Sequence, residues 1–161
     1  MPGDILWRLI VRIFSSNMWV KSISCRITSR VLPTAFYGDC IFKKANSPKQ
    51  NGLVLEGRVL DVAVDLRKSS PTFGKYVAVE LSAENARQLF IPRGFAHGFL
   101  VLSDMATFVY KVDNVYAPQS EASLIFNDEQ VGIEWPIPEE QMLLSPKDRA
   151  GKPLSEVYCF D

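Results

Sequence analysis

His97 is the only histidine in this 161-residue chain, so any imidazole chemistry converges on one side chain. One imidazole can hold or pass a proton near neutral pH, but it cannot build a multi-histidine metal cage. It stands in Ile91-Pro-Arg-Gly-Phe-Ala-His-Gly-Phe99, flanked by Gly94 and Gly98 and by alternating aromatics. Two tyrosines follow in similar settings, Tyr110 in Phe108-Val-Tyr-Lys111 and Tyr116 in Tyr116-Ala-Pro118. If His97 and Tyr110 face one barrel interior, they present a donor/acceptor pair to a small molecule. Ser145-Pro-Lys-Asp-Arg149 sets a carboxylate, Asp148, between Lys147 and Arg149. On residue type alone the blander readings stay open. His97 and Tyr110 also suit a hydrogen-bonded core, and Asp148 a solvated turn.

The elements that must position these groups read as β-strands from Leu53 onward. Residues 58–66 alternate in part and are rich in β-branched side chains, as a half-buried strand should be. Ser69-Ser-Pro-Thr-Phe-Gly74 is turn chemistry, with Pro71 presetting φ and Gly74 free to take φ > 0. Further strands are expected over 75–81, 88–91, 95–102, 106–112, 123–126 and 133–135. Short strands at roughly ten-residue spacing favour a sandwich or barrel. The class is all-β.

Bulk numbers add bounds. The length suits one domain with a sizeable core. A formal net charge of zero argues against a general nucleic-acid binder. Cys25, Cys40 and Cys159 lack CxxC spacing, so neither a zinc site nor a disulfide framework is expected, and a reducing cytoplasm is the default. Residues 5–14 are apolar, with Arg8 and Arg12 four apart, and could lie on a membrane surface as a basic amphipathic helix. Those arginines interrupt any signal-peptide core and the run is far short of a membrane span, so no membrane role is expected.

The zero net charge conceals a discontinuity. Residues 1–52 carry eight Lys or Arg against two acids, whereas the remainder carries ten against sixteen. The first part also lacks turn-strand punctuation and any sustained apolar period. Two compositions meet near residue 52, which divides the chain into an anomalous segment 1–52 and a β-domain 53–161.

From about Leu53 to Glu156 the chain resembles the dTDP-4-dehydrorhamnose 3,5-epimerase family. The carriers are Gly57-Arg-Val-Leu-Asp-Val-Ala-Val-Asp-Leu-Arg67, Ser69-Ser-Pro-Thr-Phe-Gly74, Leu81-Ser-Ala-Glu-Asn85, Ile91 to Phe99, Tyr110-Lys111, Tyr116-Ala-Pro118, Gly132-Ile-Glu-Trp-Pro136 and Leu144-Ser-Pro-Lys-Asp148. Leu60 departs from the phenylalanine more common there but stays apolar. The resemblance implies a cupin-like jelly roll, or double-stranded β-helix, that is metal-free, needs no cofactor and works as a homodimer. Its substrate is a dTDP-4-keto-6-deoxy sugar on the route to dTDP-rhamnose. The 4-ketone acidifies the C3 and C5 protons, which a base removes and an acid replaces from the other face. By resemblance Tyr110 is the proton donor and Asp148 orients the base. His97 contacts substrate, Tyr116 stacks on thymine, and Lys147 is a further binding candidate.

The family's base is a second histidine, in a motif close to Arg-Gly-Leu-His-Phe-Gln, which should fall near Cys40 and Ile41. Residues 37–43 read Tyr-Gly-Asp-Cys-Ile-Phe-Lys instead. The family's Gln-Asp-Asn segment and its Lys-Leu-Val-Arg strand, expected near Gln50 to Leu53, are also missing. Codon degeneracy offers a cause. Joining the third base of each codon to the first two of the next lets residues 37–44 encode RGLHFQK. The same offset lets residues 17–44 encode HVGKINFLQDNESRSAYGVLRGLHFQK. A one-base frameshift over residues 1 to about 52, with the frame restored before Leu55, accounts for the lost motifs and the charge break together. As written, the chain lacks its base and is expected to epimerise poorly, with N-terminal strands missing or poorly ordered and the family's dimer interface incomplete. The alternative is a catalytically inactive cupin-fold remnant that binds a nucleotide-sugar.

Overall fold

A computed structural model describes residues 26–43, 49–114 and 118–161. Nine strands run in order: β1 (Arg26–Pro33), β2 (Tyr37–Lys43), β3 (Gln50–Glu56), β4 (Arg58–Asp65), β5 (Tyr76–Ser82), β6 (Gln88–Ile91), β7 (Phe95–Val101), β8 (Met105–Val112) and β9 (Glu121–Ser123). A four-residue helix, α1 (Pro146–Arg149), follows them. The strands form two antiparallel sheets, β1-β8-β3-β6 and β5-β4-β7-β2-β9. This is the expected all-β jelly-roll architecture. Among the described residues no helix is long and apolar enough to cross a membrane.

Strand alternation divides the apolar residues between two cores on either side of the five-stranded sheet. Val59 and Ala63 of β4 and Phe95, Phe99 and Val101 of β7 point inward, against Val54, Leu89 and Phe108 of the other sheet. Val62 and Val64 of β4 and Ala96 and Leu100 of β7 point outward. There the C-terminal run covers them with Leu124, Phe126, Leu154 and Val157. With both faces covered, every residue of β7 is buried, which is why Phe95–Val101 reads as an almost continuous apolar run.

The sequence expectations hold closely for β4 to β8, Gly74 takes the positive φ open to it, 72°, and the turn between β6 and β7 runs through Gly94 at φ 86°. Three expectations are corrected. Residues 133–135 form no strand. Gly132 at φ 64° and Pro136 bound them, and the Trp135 indole N–H donates to the Phe126 carbonyl at 2.8 Å, so they cover the outer core as loop. The expected strand at 123–126 is instead β9, ending at Ser123, with Leu124 bridged to Lys152. The third concerns the N-terminal strands, expected to be missing or poorly ordered. Within 26–52, β1 pairs along its length with β8, β2 lies between β7 and β9, and β3 spans the composition break. Pairing partners supply these strands, and intrinsic pattern does not, because strand propensity is weak beside cross-strand context. Residues 1–25 and 44–48 lie outside the described residues.

The loop after β4 is held by a buried carboxylate. Asp65, fully buried, accepts from Arg67 Nε at 2.8 Å and Nη2 at 2.7 Å, from Ser70 Oγ at 2.6 Å and from Thr72 Oγ1 at 2.7 Å. The Arg67 guanidinium also lies 4.7 Å from the Phe95 ring centre. Burial pushes the Asp65 carboxyl up, but the hydrogen bonds from Arg67, Ser70 and Thr72 outweigh it and hold it below the ordinary value. A depressed folded-state pKa stabilises above the unfolded value, about 3.9, and that stabilisation is lost as pH falls through the folded one. Asp65→Asn should therefore cost about 1.5–3 kcal/mol at neutral pH and flatten the stability loss below about pH 4. Urea titrations between neutral pH and pH 3 check this. An unchanged acid slope in the variant would refute it.

Candidate active site

Among the described residues, a buried polar group interrupts the apolar interior between the sheets. Asp61 on β4 and His97 on β7 both point inward, as diagonal neighbours in the β4–β7 ladder, where Asp61 opposes Phe99 and Ala63 opposes His97. His97 Nε2 lies 2.7 Å from Asp61 Oδ1, with Asp61 fully buried and His97 8% exposed. From the opposite sheet, Gln50 of β3 reaches across to His97 Nδ1 at 2.9 Å. The second carboxylate oxygen of Asp61 has no hydrogen-bond partner among the described residues. It faces Gly52, where a Cβ would stand 3.0 Å from it and 2.9 Å from the Phe108 ring. The missing side chain at Gly52 thus leaves room for both groups.

Tyr110 stands on β8 opposite Gly52, half-buried at the rim of the inner core. Phe108 separates it from the histidine, with ring centres 6.3 Å from His97 and 6.1 Å from Tyr110. The structure therefore brings His97 and Tyr110 to one interior, as the sequence suggested. Asp148 sits elsewhere, in a capping box at the start of α1. It accepts from the Ser145 backbone N–H at 2.5 Å, and its own N–H donates to Ser145 Oγ at 3.2 Å. Although short and charged, α1 carries Asp148 almost fully buried, at 4% exposure. The helix lies against β2, the strand in which the family's base histidine should fall. Cys40 belongs to that strand, where the β2–β7 register shifts between Gly38 and Ile41, and Ile41 opposes His97. Lys147, half-exposed on α1, pairs with Glu121 of β9 at 2.9 Å. Tyr116 lies outside the described residues.

Burial in the outer core pushes the Cys159 thiol above its ordinary range. Among the described residues no three His, Cys, Asp or Glu side chains gather as a ligand set. Sequence reasoning missed Asp61 and Gln50. Asp61 left a signal, an acid at an inward position within a run from Val59 to Val64 otherwise filled by Val, Leu and Ala, whereas Gln50 left none.

The described geometry is that of a β-sandwich with the Asp61–His97–Gln50 group in its interior, and comparison with known proteins decides its family. The family model for dTDP-4-dehydrorhamnose 3,5-epimerase matches residues 42–156, well over half of the chain. The chain belongs to this family. It is 58% identical over 108 residues to the dTDP-4-dehydrorhamnose 3,5-epimerase of Salmonella typhimurium, and 53% over 104 residues to that of Pseudomonas aeruginosa. Each alignment covers 65% of this chain and 57% of the relative, so the chain spans little over half the length of these curated relatives. Among solved structures, the Legionella pneumophila dTDP-6-deoxy-D-glucose-3,5-epimerase in complex with dTDP-4-keto-L-rhamnose matches with a TM-score of 0.82 at 42% identity. That match covers 86% of this chain and 73% of that one. The Elizabethkingia anophelis dTDP-4-dehydrorhamnose 3,5-epimerase gives a TM-score of 0.81 at 44% identity, covering 83% and 74%. Likeness of fold reaches further along the chain than likeness to the curated sequences, in keeping with strands β1 and β2 forming where the sequence pattern is lost.

Proposed function

We propose that this chain carries the 3,5-epimerase site for a dTDP-4-keto-6-deoxy sugar with its catalytic base missing. The observation that carries the reading is the buried Asp61–His97 pair, which shares one interior with Tyr110 in a chain of the epimerase family. In this reading the sugar enters the sandwich with its 4-ketone near that pair. Tyr110 returns a proton to the enolate carbon. His97, held by Asp61, lines the wall that the sugar meets. Tyr116 stacks on thymine, and Lys147 at the α1 end meets the diphosphate, the Glu121 partner keeping its ammonium in place until then. The dTDP-bearing ligand of the Legionella relative supports the substrate class.

Asp148 supports the impairment. Its carboxylate caps α1 beside β2, where it would orient an imidazole, and no imidazole other than His97 exists in the chain. Loss of a positioned general base lowers the rate by about 10²–10⁴-fold. The reading places the chain in a reducing cytoplasm with the family's homodimer interface incomplete, and neither metal nor organic cofactor enters it. The test is deuterium wash-in at C3 and C5 of the keto sugar, with thymidine diphosphate binding measured in parallel. Binding with exchange weak but above the enzyme-free background is the expected result. Binding with no exchange reduces the chain to a nucleotide-sugar binder. Failure to bind thymidine diphosphate overturns the reading.

A further inference from the structure

His97 and its neighbours imply a role for a residue that the proposed chemistry does not use. Gln50 enters the interior from the four-stranded sheet, where its backbone is in register with Ile91 and Val112, and meets a ring carried by the five-stranded sheet. Its Oε1 is 2.9 Å from His97 Nδ1, while Asp61 Oδ1 is 2.7 Å from Nε2. We infer that Gln50 is a positioning residue that pins His97, occupying Nδ1 so that neither ring nitrogen is available to abstract a proton.

A general base needs an unshared pair directed at the proton it removes. The Asp61 carboxylate is acceptor-only when ionised and so fixes the proton on Nε2. Gln50 fills Nδ1 in either orientation of its amide, its carbonyl accepting from Nδ1–H or its NH₂ donating to the Nδ1 lone pair. The Phe108 ring, 6.3 Å away at 60°, flanks the imidazole and is apolar. His97 therefore serves as a fixed polar wall, and the one imidazole in the chain does not substitute for the missing base. This consequence for catalysis rests on the epimerase reading. The occupancy of the ring nitrogens does not, because it is read without substrate.

A single histidine makes the test clean. Nitrogen-15 spectra of the unaltered chain, labelled at histidine, should show one imidazole with both nitrogens hydrogen-bonded, and diethyl pyrocarbonate should modify it slowly. Gln50→Leu should shift the Nδ1 resonance toward that of a bare nitrogen and speed carbethoxylation roughly fivefold or more. Gln50→Glu, which keeps an acceptor on Nδ1, should retain the slow rate. A bare Nδ1 in the unaltered protein overturns the inference even if the leucine variant fails to fold. Equal carbethoxylation rates in the parent and a folded Gln50→Leu protein also overturn it. Wash-in absent from all three proteins, with the spectral shift present, would count against the epimerase reading alone.

Discussion

Replacing residues 17–44 by HVGKINFLQDNESRSAYGVLRGLHFQK should raise deuterium wash-in at C3 and C5 by about 10²–10⁴-fold over the unaltered chain. The expectation follows from where β2 runs. It lies between β7, which carries His97, and β9, and α1 with its buried Asp148 lies against it. In the offset frame the permitted histidine codon straddles Cys40 and Ile41, and Ile41 opposes His97 in the ladder. A histidine restored there stands between a carboxylate able to orient it and an interior already holding Tyr110. Cys40→His alone should recover less, because the β2–β7 register is irregular between Gly38 and Ile41 and the upstream Gln-Asp-Asn segment stays lost. A reframed chain that folds and binds thymidine diphosphate but exchanges no deuterium would sink the assignment of the missing base.

The second large effect is on stability. His97→Leu should destabilise the fold by about 3–5 kcal/mol, since it leaves the fully buried Asp61 carboxylate without its partner. One oxygen of that carboxylate already lacks a partner among the described residues, so little is at hand to compensate. Replacing both members, Asp61→Leu with His97→Leu, should cost much less than the two single changes added, because apolar side chains of similar size fit the surrounding core. Urea unfolding of the four proteins of this cycle measures the coupling. Additive losses would mean that the pair is not a unit.

Legibility of the fold from sequence followed burial. β4 to β8 are rich enough in β-branched and aromatic residues, and are punctuated by Pro92, Gly57, Gly74 and Gly94 clearly enough, that their positions follow from residue types. β1 and β2 were not legible because Arg26–Pro33 and Tyr37–Lys43 carry basic and turn-forming residues and are strands by virtue of β8 and β7 beside them. Residues 133–135 misled in the opposite sense. Their apolar pattern reflects contact with the outer core, which loops satisfy as well as strands. In the site, His97 and Tyr110 were legible as rare polar residues among aromatics. Gln50 was not, since nothing in a sequence reports that a glutamine on one sheet meets an imidazole on the other. Asp148 was found by family resemblance, while its capping of α1 became visible only in the structure.

The central claim, that this is an epimerase-family chain whose base histidine lies one nucleotide out of frame, is tested most directly by reading the codons of the gene that encodes it. The prediction is that a one-base offset across codons 37–44 spells RGLHFQK, with QDN upstream in the same frame. If no offset yields RGLHFQ from the actual codons, residues 1–52 are a genuine segment and the account of the missing base fails.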